Sequence, residues 1–386
     1  MTAGSGPLAG MRFVEMAGIG PVPLASMILA DLGAEGIRVE NPRPYPGSPD
    51  PTRTPLQRGR ASVTVNLKAD DGAATVLRLL ERADIVLEGF RPGVMEKLGL
   101  GPDVALARNP KLVYGRMTGW GQDGPLSHAA GHDIDYIAIA GALRHFARAG
   151  EAPVPPMNLI GDFGGGAMLL LVGVLAGLAH VQGGGAGQVV DAAMVDGTAL
   201  LMAMSYGFYA TGQMSLEPGT NILDTGAPYY DVYETADGRH VAVGAIESQF
   251  YAALLRGLDL KSAGLPSQAD VTRWPELRTI FADTFRTKSQ AEWTVIFEGT
   301  DACVAPILDM VEAAAHPHMR ARQVVVDVGG VLQPAPAPRF SATPTRVGGP
   351  PSAHGADTET ALAAWGLSRD EIDRLIATGA IGGAPG

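Results

Sequence analysis

Met11-Arg12-Phe13-Val14-Glu15-Met16 is β-rich, Leu24 to Leu32 is helical with Pro21 and Pro23 ahead of it, and Gly36-Ile37-Arg38-Val39-Glu40 is strand-like again. A strand, a helix and a second strand in such close succession form the repeating unit of a parallel sheet, whose strands need a crossover connection. The pattern continues outward. Ser62 to Leu67 reads as strand, Asp70 to Arg82 as helix, Asp84 to Leu87 as an apolar strand, and Leu112 to Met117 as another. This alternation predicts an α/β fold with a doubly wound parallel sheet covered on both faces, and ligands beyond the carboxyl ends of its strands.

Farther along, Asp191 to Thr211 reads as one long apolar helix carrying Met194, Met202 and Met204. After Gly219 the character changes. Tyr229 to Thr235 and Gly238 to Val243 flank Ala236-Asp237-Gly238, a hairpin signal. Helix-like stretches follow at Gln249 to Leu255 and Thr272 to Thr287, so this part reads as a smaller α+β domain. Pro334 to Pro338 is the expected linker back to the large domain. Ser368 with Glu371 three residues on predicts a capping box for a last helix running to Thr378. The expected organisation is residues 1–190 as the first part of a large domain, 191–225 as a linker helix, 226–315 as the small domain, and 316–386 as linker and return.

The chain has 386 residues, enough for two domains, and is 46% hydrophobic and 18% charged, which places it among globular proteins. Its formal net charge of −11 argues against a nucleic-acid binder. The one cysteine, Cys303, excludes an intrachain disulfide and reads as a buried structural thiol in an apolar stretch. The apolar run from Ala167 to Ala179 is about 13 residues against the roughly 20 that span a bilayer, so a buried core helix is expected. No secretory signal is evident at the N-terminus, and Gly383-Ala384-Pro385-Gly386 is not a peroxisomal address, so the cytoplasm is the expected compartment. Ala17-Gly18-Ile19-Gly20-Pro21 only partly resembles a dinucleotide-binding glycine fingerprint, which argues against nicotinamide. No metal is expected, because His316 and His318 lack neighbouring ligands at usable spacing.

Chemistry concentrates in two glycine-marked corners, Gly131-His132-Asp133 and Gly161-Asp162-Phe163-Gly164-Gly165-Gly166. Imidazole titrates near neutrality and a carboxylate in a dry pocket is raised toward it, so each can carry a proton to or from carbon. Asp162 also reads as a helix N-cap or a residue just inside the helix start. The glycines after it either expose backbone N–H groups to a developing enolate oxygen or permit tight helix packing. His132 alternatively reads as a capping or core histidine, and Glu247 as a solvated turn residue. Arg43, Lys68, Arg91 and Lys97 are candidate phosphate-binding cations, and Arg91 stands directly after the strand ending at Leu87. Met202, Met204 and Met214, with Tyr206, Phe208 and Tyr209, read as core packing first and as a pliable acyl surface second.

These corners lie within five ordered motifs. They are Gly131-His132-Asp133-Ile134-Asp135-Tyr136, Asn158 to Gly166, Asp191 to Gly197, Gly226-Ala227-Pro228-Tyr229-Tyr230-Asp231 and Val243-Gly244-Ala245-Ile246-Glu247. Together they resemble the α-methylacyl-CoA racemases of the class III CoA-transferase family, over nearly the whole chain from Gly6 to Ser341. The resemblance implies an interlocked homodimer and racemisation of 2-methylacyl-CoA thioesters, with His132 and Asp162 as bases on opposite faces and Glu247 hydrogen-bonded to the imidazole. It implies CoA contacts at Leu67, Lys68 and Ala69, at Gly89, Phe90 and Arg91, and at Gly131, Asp133 and Tyr136. CoA is part of the substrate, and no separate cofactor is implied. The alternative is a class III CoA-transferase with Asp162 as nucleophile. Such enzymes typically carry a glycine-rich loop and lack the histidine, whereas residues 217–228 hold only scattered glycines.

Overall fold

A computed structural model describes residues 5–44, 47, 49–261 and 264–382. The terminal Gly383-Ala384-Pro385-Gly386 stretch lies outside them. The chain divides into two compact units. The first comprises residues up to Ala140, Met157–Leu201 and the chain from Pro317 onward; the second comprises Gly141–Pro156 and Met202–His316.

The first unit is built on six parallel strands: β1 (Arg12–Met16), β2 (Glu35–Glu40), β3 (Arg60–Thr64), β4 (Ile85–Glu88), β5 (Val113–Thr118) and β6 (Gln188–Ala193). Their order is β3-β2-β1-β4-β5-β6. Side chains alternate across each strand, so two cores form. Phe13, Ile85, Leu87, Val113 and Met117 pack with Leu29 of the Pro21–Asp31 helix and with Leu170 and Val174 of the Met168–Gln182 helix. Val14, Met16, Ile37, Val39, Val86 and Tyr114 pack on the other face with Leu79 and Leu80 of the Gly72–Leu80 helix. Leu362 and Leu375, from the Thr358–Ala364 and Arg369–Ala377 helices, complete that second core. The doubly wound expectation holds. Ser368 caps the last helix, its hydroxyl accepting the Glu371 N–H and the Glu371 carboxylate accepting the Ser368 N–H.

The helix predicted over 191–211 is corrected. Gln188–Ala193 is β6, an edge strand paired with β5, and two helices follow at Met194–Leu201 and Ala203–Ala210. Strand passes into helix at Ala193-Met194 with no intervening turn residue, so a single apolar stretch carries both. The apolar run Ala167–Ala179 is also longer than expected. A wide, π-helical segment, Leu159–Ala167, continues into the Met168–Gln182 helix. The resulting 24-residue stretch is, among the described residues, the one helix long and apolar enough to cross a membrane. Leu170, Leu171, Val174 and Leu178 nevertheless sit in the core beneath the sheet.

The second unit carries three antiparallel strands, β7 (Tyr230–Glu234), β8 (His240–Gly244) and β9 (Val304–Pro306). The β7–β8 hairpin forms where predicted, with Gly238 at φ +72° in the turn. Trp274, Phe281, Phe285, Trp293 and Phe297 fill its core. Cys303 is corrected: it is exposed, not buried, and holds a left-handed φ of +53°. The Ala203–Ala210 helix buries none of its residues in this chain, so the core-packing reading of Met204, Tyr206, Phe208 and Tyr209 is corrected as well. A second hairpin, β10 (Val325–Val328) with β11 (Val331–Pro334), belongs to the first unit.

Candidate active site

The order of the large sheet reverses between β1 and β4, and at such a point the loops leaving two adjacent strands diverge to open a crevice. The β1 loop reaches it at Gly20, where an added Cβ would sit 3.4 Å from Asp162 Oδ2. Asp162 is therefore at the carboxyl edge of the sheet. Four residues carry candidate cations just past neighbouring strand ends: Arg43 after β2, Lys68 after β3, and Arg91 and Lys97 after β4. All four are exposed, and none forms an ion pair among the described residues.

The Asp162 position is set by the wide helix. Asp162 is not the N-cap; Asn158 is, and Asp162 lies four residues inside. In helical phase the two side chains fall on one face, and Asn158 Nδ2 donates to Asp162 Oδ2 at 3.0 Å. The carboxyl is half-buried. Its pKa is raised above the ordinary 3.8 mainly by that burial and further by the charge of Asp133, while the Asn158 bond and His132 oppose the rise. A carboxyl tuned in this direction can both hold and release a proton.

His132 caps the Asp133–Ile139 helix from an extended backbone, and its own N–H donates to Asp135 Oδ2 at 2.9 Å. The imidazole is exposed and is felt electrostatically by Asp162. Asp133, the next residue, is buried, and its Oδ1 accepts the Asp162 N–H at 2.7 Å. Tyr136 donates to the Gly131 carbonyl and packs edge-on against Trp120 at 4.8 Å between ring centroids. Burial, then the Asp162 charge, push its pKa up to about 12, so it remains a neutral phenol; Arg91 pulls the other way.

The glycines after Asp162 serve packing. An added Cβ at Gly165 would lie 2.6 Å from Thr198 N, and one at Gly197 would lie 1.8 Å from the Gly165 carbonyl oxygen. Backbone meets backbone where the wide helix crosses the Met194–Leu201 helix, so these glycines are spent on close approach.

A clamp behind the β4 loop escaped the sequence reading. Glu88 and Arg116 pair in register across β4 and β5, and Glu88 is wholly buried. Glu88 Oε2 accepts the Phe90 N–H at 2.7 Å, and its Oε1 accepts Arg116 Nε at 2.9 Å. The same guanidinium reaches Glu96 at 2.7 and 3.3 Å. One arginine thus grips both ends of the segment carrying Gly89, Phe90, Arg91 and, just past it, Lys97. Leu67 and Ala69 flank Lys68 in the turn after β3, where Asn66 Oδ1 accepts the Lys68 N–H. Glu247 belongs to the second unit. It caps the Ser248–Gly257 helix, is exposed, and adds to the upward push on the Cys303 thiol.

A parallel sheet with a carboxyl and an imidazole at its switch point, and on the adjoining loops cations that form no ion pair among the described residues, suits proton-transfer enzymes of phosphate-bearing substrates. The chain belongs to CoA-transferase family III, whose description matches residues 8–358. It is 46% identical to the alpha-methylacyl-CoA racemase of Mus musculus, covering 95% of this chain and 96% of that protein. Identity to the alpha-methylacyl-CoA racemase of Homo sapiens is 44%, again over 95% and 96%. Among solved structures, a CAIB/BAIF family protein from Brucella suis shares the fold with a TM-score of 0.79, at 23% identity over 94% of this chain and all of that one. Rv3272 from Mycobacterium tuberculosis follows at 0.74, with 27% identity over 92% and 99%.

Proposed function

We propose that this protein racemises 2-methylacyl-CoA thioesters by moving one proton off and back onto the α-carbon through an enolate. The carrying observation is Asp162, a half-buried carboxyl of raised pKa set electrostatically against His132 at the sheet's switch point. One group removes the proton from its own face and the other delivers a proton to the opposite face, which inverts the centre, and the two exchange roles for the other enantiomer. Glu247 orients the imidazole and supports its charged form. The nucleotide of CoA lies against Arg43, Leu67, Lys68, Ala69, Gly89, Phe90, Arg91 and Lys97, and the pantetheine end passes Gly131, Asp133 and Tyr136. The working form is a homodimer in the cytoplasm. The exposure of Leu200, Leu201, Met204, Tyr206 and Tyr209 in a single chain supports the dimer.

The test is to incubate one pure enantiomer of a 2-methylacyl-CoA with the protein in D2O. Deuterium enters the α-position as optical purity is lost. Optical purity retained, together with CoA exchange onto an added carboxylate, makes the protein a transferase with Asp162 as nucleophile.

A further inference from the structure

A wide helix that begins at Leu159 has no intrahelical acceptor for the Asp162 N–H, because its bonds span five residues. That donor is met from another element by Asp133 Oδ1 at 2.7 Å, a charge-assisted bond across 29 residues of sequence. The approach is made possible by Gly161, where a Cβ would stand 2.6 Å from the same oxygen. Asp133 is only 7% exposed, and its second oxygen, Oδ2, is buried with no hydrogen-bond partner among the described residues. A mere strut has no need of that oxygen's charge, since an asparagine carbonyl would accept the same N–H.

We infer that Asp133 is the positioning residue of Asp162, fixing its backbone through Oδ1 and standing a second carboxylate beside its carboxyl. The inference rests on the racemase reading for its kinetic consequences alone. The grip keeps the carboxyl over one face of the α-carbon, and the neighbouring charge favours the protonated form that must deliver a proton there. The other groups facing Asp162 are few. On the Asp133–Ile139 helix they are His132, which opposes Asp133, and Tyr136, with Arg91 beyond it. The wide helix adds Asn158, the first turn of the Pro21–Asp31 helix has no titratable group, and Asp196 on the Met194–Leu201 helix couples to Asp191 instead.

Two variants separate grip from charge in the full chain. Asp133→Asn keeps an acceptor for the Asp162 N–H and removes the charge. With Asp162 acting as base, the acid limb of kcat/KM should move down by about half a pH unit or more, on the order expected for losing a near like charge. Asp133→Ala removes both, and kcat should fall about 100-fold, the scale of a misplaced reacting group, while KM changes less than about threefold. The Asp162 carboxyl is also titrated directly by 13C NMR, assigned by difference from Asp162→Asn, and should titrate lower in Asp133→Asn. An unmoved limb and an unmoved titration overturn the charge assignment. Wild-type kcat in folded Asp133→Ala overturns the grip, and a loss confined to KM leaves Asp133 a CoA contact alone. If the native protein exchanges no α-deuterium yet the NMR shift appears, the racemase reading fails and the positioning role stands.

Discussion

Gly197→Ala tests the crossing that carries Asp162. An added methyl there would lie 1.8 Å from the Gly165 oxygen and 2.6 Å from its carbonyl carbon, well inside van der Waals contact. Both obstacles are backbone, so no side chain can rotate away, and the helices must part by more than about 1 Å to reach ordinary carbon–oxygen contact. Overpacking costs about 1–3 kcal/mol where neighbours can adjust, and here the upper end applies. At roughly 2–4 °C per kcal/mol for a unit of this size, the unfolding midpoint falls by about 6–12 °C. Scanning calorimetry reads it, with Gly207→Ala as the control. Gly207 lies inside the Ala203–Ala210 helix with no atom of its own chain among the described residues within 4 Å of an added Cβ, so within one chain the same change there holds or raises the midpoint. Because Asp162 lies three residues before Gly165, kcat for racemisation by Gly197→Ala should also fall, by a larger factor than KM changes. A midpoint at or above wild type for Gly197→Ala refutes the close-crossing argument.

His132→Ala should still wash deuterium into one enantiomer with retained configuration, by way of Asp162, while racemisation falls by about two to four orders of magnitude; equal loss of exchange from both enantiomers would count against two dedicated bases. Asn158→Ala removes a bond that holds the Asp162 carboxyl down, so its pKa, already above 3.8, rises further. The acid limb in the direction where Asp162 is base then moves to higher pH, read from a kcat/KM profile, and a downward move contradicts the assignment. Arg91→Ala should raise KM for acyl-CoA far more than it lowers kcat; unchanged KM with collapsed kcat removes it from the phosphate site. Arg116→Met frees both ends of the β4 loop and leaves Glu88 buried without its cation, so CoA-ester affinity by calorimetry should weaken about tenfold, with stability falling by roughly 3 kcal/mol. Wild-type affinity in that variant would mean the loop holds its shape unaided.

The sheet was legible because its strands alternate with helices that keep their own period, as in Phe13 against Val14 and Leu79 beside Leu80. It was illegible at β6, where Val189-Val190 runs through Ala192-Ala193 into Met194 with no glycine or proline to mark the change of period. The catalytic candidates were visible as residue types on glycine corners, and the cations as residues just past strand ends. The partners of Asp162 were less so. Asn158 stood at a readable four-residue spacing, but Asp133 meets it only through the fold. Glu88 and Arg116 become partners only once β4 and β5 are in register, since 28 residues of sequence separate them. Charged residues at strand positions such as Glu15, Arg38 and Arg60 are likewise buried, which hydrophobic patterning cannot announce.

The wide segment from Leu159 to Ala167 gives its domain an unusual kind of freedom. Each residue of an ordinary helix turns the chain by about 100°, so a deletion normally spins everything beyond it. Here the stripe of Leu170, Val174 and Leu178 is anchored under the sheet, and the broad turns before it absorb the difference in phase. Loss of one residue from that segment would tighten it toward regular helix and swing the acid at position 162 to a new bearing, with the packed stripe unmoved. Redirecting the carboxylate by a change of length there would also have to remake the Gly165–Gly197 crossing and the Asp133 bond, while the floor beneath stays as it is.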